Sequence, residues 1–355
     1  MNEKDIIDRF KMAQDSLVIQ QSDFSLAAIA DMVKRKSIDI SPGYQRRDRW
    51  NTDKQSALIE SFLLNVPVPP IYLSEDEYGS YSVIDGKQRI TAIRDFLAGD
   101  LKLKSLKKFP ELDGYKFDEL PIQLQNALTV RPYIRVTTLL KQSNQQLKYE
   151  VFLRLNTGGD TLKPQEIRNV AYAGPLNNLL FELSENIFLR DRLKISNDKS
   201  PSFRSMDDVE HVLRFFTIYS RWTEMRNVLS EEMDLFMESN QQVDPANFHD
   251  LFVKAINGCE SIFGEHAFHK PTSAGWREQL ISPMYDAQMV AVALLSDQDI
   301  LKLSTKRDDV TDGLRALFDL DAEFVKSISQ STNNSASIRR RVQTIYDLLT
   351  GIAEA

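Results

Sequence analysis

The sequence predicts an α+β fold: a small mixed sheet with interspersed helices in the N-terminal half, followed by a mainly α-helical C-terminal half. Three observations carry this. The β-branched and aromatic runs Ile71-Tyr72-Leu73, Tyr81-Ser82-Val83-Ile84 and Tyr133-Ile134-Arg135-Val136 all fall before residue 140. From residue 170 onward the apolar residues recur at helical spacing. A chain of 355 residues with 42% hydrophobic and 27% charged content is long enough for two or three packed globular units.

Taken in order, residues 3–16 read as a short polar helix. Ser25 is placed to cap a second helix carrying Leu26, Ile29, Met32 and Val33 on one face. Ser37-Ile38-Asp39-Ile40 alternates as a half-buried strand, and Ser41-Pro42-Gly43 ends it. Tyr44-Gln45-Arg46-Arg47-Asp48-Arg49-Trp50 then falls on a loop or at a cleft mouth. Arginine forks suit phosphate there, and Tyr44 and Trp50 can stack on a ring or pack into the core. Thr52 with Gln55 forms a capping box for a helix through Leu64, which the prolines of Val66-Pro67-Val68-Pro69-Pro70 terminate. The runs at 71–73 and 81–84 bracket Glu75-Asp76-Glu77-Tyr78-Gly79 as a hairpin.

The most informative stretch follows. The strand ending in Ile84 turns at Asp85-Gly86 into a helix with apolar positions 90, 93, 96 and 97, closed by Gly99. A helix start exposes backbone N–H groups at its positive end, so Lys87, Gln88 and Arg89 beside it make an anion site, with phosphate the natural occupant. An ordinary β-turn-α connection with solvated charges fits the same pattern. The second informative stretch runs from Val151 to Asn169: a helix ends at Asn156, Gly158-Gly159 turns the chain, and Pro164 starts the next helix. Arg154, Glu166 and Arg168 can tie that corner together without any further role. Beyond it, Ser205 with Asp208 reads as a capping box, and helices fit 228–239, 247–263, 284–302, 308–318 and 336–350.

Composition excludes several classes. No apolar run approaches the roughly 20 residues that span a bilayer, and the N-terminal residues lack the order of a secretory signal, so a cytoplasmic protein is expected. One cysteine, Cys259, rules out an internal disulfide framework and a multi-thiolate zinc site. His266 and His269, near Glu265, read as solvent-facing rather than as metal ligands, and so do His211 and His249. A net charge of −7 argues against non-specific coating of nucleic acid. Local basic groups remain around Arg46, along 102–108 and at Arg339-Arg340-Arg341, each read as a solvated face.

Four motifs stand in one order: Tyr44-Gln45-Arg46 with Trp50; Pro67-Val68-Pro69-Pro70-Ile71; Asp85-Gly86-Lys87-Gln88-Arg89; and Phe152-Leu153-Arg154-Leu155-Asn156-Thr157-Gly158-Gly159 with Glu166-Ile167-Arg168-Asn169. Together they resemble the N-terminal domain family of the GmrSD-type modification-dependent restriction enzymes. The resemblance implies a fold similar to ParB and sulfiredoxin over residues 21–175, preceded by an N-terminal helix (1–20) and followed by a helical domain (176–355). It implies a component of anti-phage or restriction defence that binds and hydrolyses GTP or ATP with Mg²⁺, acts on DNA that carries modifications, works with a separate nuclease subunit, and forms a homo-oligomer.

By the same resemblance Asp85, Gln88 and Arg89 are the catalytic candidates, with Asp85 also the metal ligand. Gly86, Lys87, Arg46, Arg154 and Asn156 would hold phosphate. Tyr44, Gln45, Trp50, Arg168 and Asn169 would meet DNA or stack on a base. The family's third motif has glutamine where this chain has Lys87. A ParB-like nicking nuclease and a non-catalytic regulatory module are the alternative functions, and the histidines lack the context of an HNH nuclease.

Overall fold

In the computed structural model of the chain, which describes residues 3–40, 50–155, 163–172, 174–272 and 275–355, the contacts divide into two units, Met1–Ala171 and Tyr172–Ala355. The first begins with α1 (Glu3–Asp15), β1 (Ile19–Ser25), α2 (Leu26–Lys34) and β2 (Ile38–Asp39). After residues 41–49 come α3 (Thr52–Leu63), β3 (Ile71–Glu77), β4 (Ser80–Asp85) and α4 (Lys87–Leu97). The unit closes with α5 (Ile122–Val130), β5 (Tyr133–Leu139), α6 (Gln145–Leu155) and α7 (Pro164–Ala171).

The strands form one mixed sheet in the order β1-β5-β3-β4-β2. Tight hairpin geometry makes β3 and β4 antiparallel, whereas β5 reaches β3 by a long connection and pairs with it in parallel. Side-chain alternation sorts the sheet into two faces. Ile71, Leu73, Val83 and Val136 point to one, where they join Ile29, Ile59, Ile90, Ile93 and Phe96 from the helices in the main core. The intervening Ile84 and Leu139 point to the other, where Ile167 of α7 covers them with Val151 and Leu155 of α6. Each fully buried aliphatic side chain contributes roughly 1.5–3 kcal/mol relative to exposure, so the double-sided burial fixes the register of the central strands.

Several local expectations hold. Ser25 caps α2, its Oγ accepting from the Ala28 N–H at 3.2 Å. Pro164 opens α7, and Gly99 follows α4 at φ +76°. Others are corrected. Asn51, not Thr52, caps α3, because its Oδ1 reaches the Lys54 N–H at 2.9 Å. Strand β1 carries no apolar alternation and was not expected; it is an edge strand held by its antiparallel ladder to β5.

The second unit is built from α8 (Pro175–Ser184), α9 (Ile187–Arg192), α10 (Pro201–Arg204), α11 (Asp207–Arg221), α12 (Leu229–Asn240) and α13 (Ala246–Phe263). A minimal ribbon of β6 (Pro271–Thr272) and β7 (Gly275–Trp276) precedes α14 (Ser282–Leu294), α15 (Asp297–Thr305), α16 (Arg307–Leu320), α17 (Ala322–Ser329) and α18 (Ser335–Glu354). Helix α14 is buried along most of its length, from Met284 to Ala293, which makes it the centre of the unit. The expected helix over 284–302 is two helices, since Leu295 turns extended and Ser296 caps α15 by accepting from the Asp299 N–H. The expected Ser205 capping box is absent: Ser205 bonds to the Pro201 carbonyl, and Met206, in a left-handed conformation, precedes α11.

Two further expectations change here. Arg341 is buried, not solvated, and donates to Asp286 at 2.5 Å, while Arg340 pairs with Asp321 and Arg339 reaches the Thr223 carbonyl. Asp286 also receives both donors of Arg214, at 3.1 and 2.6 Å. Burial opposes ionisation of this carboxyl, but the two guanidiniums outweigh it and hold its pKa below the ordinary value. His211 is likewise buried, with Nδ1 on the Asp207 carbonyl and Nε2 on Ser282 Oγ. Burial, reinforced by Arg214, lowers its pKa and keeps the ring neutral.

Candidate functional site at the Asp85-Gly86 turn

The site is assembled where β4 ends on the helix-covered face of the sheet and α4 begins. Gly86 makes the connection at φ +101°, a conformation open to glycine and costly for other residues. A Cβ there would sit 3.0 Å from Ile71 Cγ1 and 3.2 Å from Arg89 Nη2, so the position is closed sterically as well as conformationally. The glycine lets β4 turn sharply enough for Asp85 and Arg89 to meet.

They meet in an ion pair. Arg89 Nη2 lies 2.6 Å from Asp85 Oδ2 and also donates to the Pro70 carbonyl at 3.1 Å. The Arg89 side chain is 13% exposed and that of Asp85 40% exposed, so the pair has one enclosed and one open partner. Asp85 Oδ1 has no hydrogen-bond donor among the described residues, and Arg89 Nε is buried without an acceptor. A buried guanidinium N–H without an acceptor is costly, and an incoming anionic oxygen would relieve it. Gln88, in the first turn of α4, accepts the Trp50 N–H at 3.0 Å.

The other candidates are placed less uniformly. Trp50 is half-buried against the main core. Arg154 is 81% exposed and pairs with Glu150 at 3.1 Å on its own helix. Arg168 and Asn169, expected to meet DNA, are buried. They belong to a polar face of α7 that also includes Gln165 and Glu166; Gln165 Nε2 donates to Asn169 Oδ1 at 2.9 Å, and Glu166 accepts the Lys163 N–H at 2.7 Å. The recurrence of polar residues at 165 and 169, one helical turn apart, is the signal that could have identified this face in advance. Tyr44, Gln45, Arg46 and Asn156 lie outside the described residues. Sequence reading also overlooked the Pro70 carbonyl, which no side-chain motif can announce.

A second polar group sits on the same unit, at the end of the hairpin away from Asp85. Ser82 Oγ donates to Asp76 Oδ1 at 3.1 Å, and Lys148 Nζ donates to the Glu75 carbonyl at 3.0 Å. Loss of hydration raises Asp76 to about 6, against the opposing pull of Ser82 and Lys148. Loss of hydration likewise lowers the Lys148 ammonium. Among the described residues no three metal-ligating side chains gather into a cluster, and no helix is long and apolar enough to cross a membrane.

Comparison with curated proteins gives no match, and comparison with solved structures gives none either. A family model does match: residues 29–173 fit the GmrSD restriction endonuclease, N-terminal domain. The matched segment runs from α2 to the end of α7 and contains both strands of the hairpin, the Asp85-Gly86 turn and the polar face of α7. Residues 29–173, which hold four of the five strands of the sheet, are therefore similar to the GmrSD restriction endonuclease N-terminal domain family.

Proposed function

We propose that the chain is the nucleotide-handling component of a DNA restriction system, and that it binds GTP or ATP at the Asp85-Gly86 turn and hydrolyses it. The observation that carries this reading is the Asp85 and Arg89 pair set at a left-handed glycine and a helix start, within the segment that matches the restriction family. Backbone N–H groups at the start of α4 and the Lys87 ammonium would receive phosphate oxygens. Arg89 Nε supplies a further donor.

Mg²⁺ requires few protein ligands, since one or two carboxylates suffice when phosphates and waters complete its shell. Asp85 Oδ1 fits that need, and the ion would neutralise charge on the transferred phosphoryl group. Arg89 holds the other Asp85 oxygen and so orients the carboxylate. DNA, modified or not, and a separate nuclease subunit are the partners of such a component.

A second reading, binding without turnover, is favoured by the enclosure of Arg89, whose terminal nitrogen is already committed to Asp85 and Pro70. One experiment separates the two. Phosphate release is measured from each of the four NTPs with Mg²⁺, with and without DNA, for the wild type, Asp85→Asn and Arg89→Lys. Turnover in the wild type that both variants lose supports the hydrolase. Saturable nucleotide binding with no phosphate release leaves the binding module, and no nucleotide binding under any condition overturns both.

A further inference from the structure

The helices of the first unit leave a cleft of about 920 Å³ between α2, β2, α5 and the C-terminal half of α4. Clefts of roughly 300–1,000 Å³ are those that hold small molecules. The apolar part of this one is made by Ala27, Ala30, Val33, Leu97, Ala98 and Phe117, none of which is fully buried. Three of the six are alanines, whose short side chains leave space above them. The cleft therefore offers open apolar surface that a ligand body can remove from water.

Its charges decide which ligand. Asp31, Lys34, Lys36, Asp39 and Arg94 all line the cleft, and three of them are already engaged. Asp31 pairs with Arg35 at 2.9 Å, and Arg94 donates from Nε to Asp95 at 2.7 Å. Asp39 is in strand register with Ser82, and its charge acts on Asp76, which accepts from Ser82. Lys34 and Lys36 are left, both exposed and without an ion-pair partner among the described residues. The C-terminal ends of α2 and α4 also reach the cleft, which would favour a cation if their carbonyls were open. They are mostly closed: Met32 and Val33, and likewise Asp95 and Phe96, accept from backbone N–H groups just past their helices.

We propose that this cleft binds a small amphipathic anion, with its hydrocarbon body over Ala27, Ala30 and Ala98 and its acidic group on Lys34 and Lys36. Lysine suits the role, because its flexible stem lies along apolar surface while the ammonium reaches a point charge. The inference stands without the nucleotide reading, since it uses none of the same residues. Arg94, on the cleft wall, lies about 10 Å along α4 from Lys87.

The test is fluorescence titration of the full chain with two probes that share an aromatic body, the anion anilinonaphthalene sulfonate and the uncharged phenylnaphthylamine. The wild type is compared with Lys34→Gln/Lys36→Gln, with Ala98→Trp, which fills the apolar floor, and with Lys107→Gln/Lys108→Gln, which removes the same charge elsewhere. All five positions are exposed, so folding should be undisturbed, and thermal melts verify this. The expected result is saturable binding of the anion, tighter than that of the uncharged probe. Its dissociation constant should rise by about fivefold in Lys34→Gln/Lys36→Gln, where the uncharged probe is unaffected. Ala98→Trp should weaken both probes at least about fivefold, and Lys107→Gln/Lys108→Gln neither. The proposal is overturned if the anion does not saturate, binds no tighter than the uncharged probe, keeps its affinity in Lys34→Gln/Lys36→Gln or in Ala98→Trp, or is weakened equally by Lys107→Gln/Lys108→Gln.

Discussion

The chain contains two carboxylate-guanidinium centres that use the same chemistry to different ends. In the first unit one arginine meets one carboxylate: Arg89 holds one oxygen of Asp85, and the other oxygen has no donor among the described residues. In the second, Arg214 and Arg341 converge on Asp286, all three are buried, and both carboxylate oxygens are engaged. The first arrangement leaves capacity for a ligand. The second consumes its capacity in joining α11, α14 and α18, and is a fastening.

The largest effect should come from the fastening. Asp286→Ala leaves two buried guanidiniums without their counter-charge and should lower the stability of the second unit by about 3–5 kcal/mol. Urea denaturation followed by circular dichroism checks this, and a loss below about 1 kcal/mol would erase the contrast between the two centres. Next is activity at the open centre. Asp85→Asn should reduce phosphate release by on the order of 10²–10³-fold while shifting the denaturation midpoint little, because a partly exposed pair contributes little to stability. Gly86→Ala is intermediate: the left-handed backbone and the approach to Ile71 together should cost about 1–3 kcal/mol of first-unit stability.

The smallest effect is a divergence in acid. His211 is kept neutral by burial, so its folded pKa lies below its unfolded value near 6.5. The second unit should therefore lose stability as pH falls below about 6.5. Asp76 has the opposite sign. Its folded pKa of about 6 exceeds the ordinary 3.8, so the folded state takes up the proton first and the first unit gains stability as pH falls from about 6 toward 4. The carboxyl stays in contact with solvent at the hairpin end, which keeps this gain small. Thermal melts of Asp76→Asn and His211→Phe against the wild type, from pH 4 to 7.5, should show difference slopes of opposite sign.

The two centres also differ in how far the sequence announces them. Asp85-Gly86 and Arg89 are close together in the chain, at a strand end and a helix start, and local pattern was enough to bring them together. The triad joins residues 214, 286 and 341, which only packing can bring together. For that reason Arg341 read as one of three surface arginines, and His211 as a solvent-facing ring. Likewise Ser25, Pro164 and Gly99 act through their immediate neighbours and were legible. Strand β1 depends on a partner more than a hundred residues away and was not. The recurrence of polar residues at 165 and 169 marks the face of α7 that holds Asn169, but the burial of Arg168 and Asn169 is a tertiary fact that this local pattern does not announce.

The bond from the Trp50 N–H to Gln88 gives the first unit a built-in optical handle. Gln88 belongs to the first turn of α4, beside the turn proposed for the nucleotide, so a phosphate bound there would disturb the residue that holds the tryptophan backbone. The remaining tryptophans, Trp222 and Trp276, lie in the second unit. With those two replaced by phenylalanine, the indole of Trp50 becomes a private reporter, and occupancy by an unlabelled nucleotide can be followed from its emission in real time.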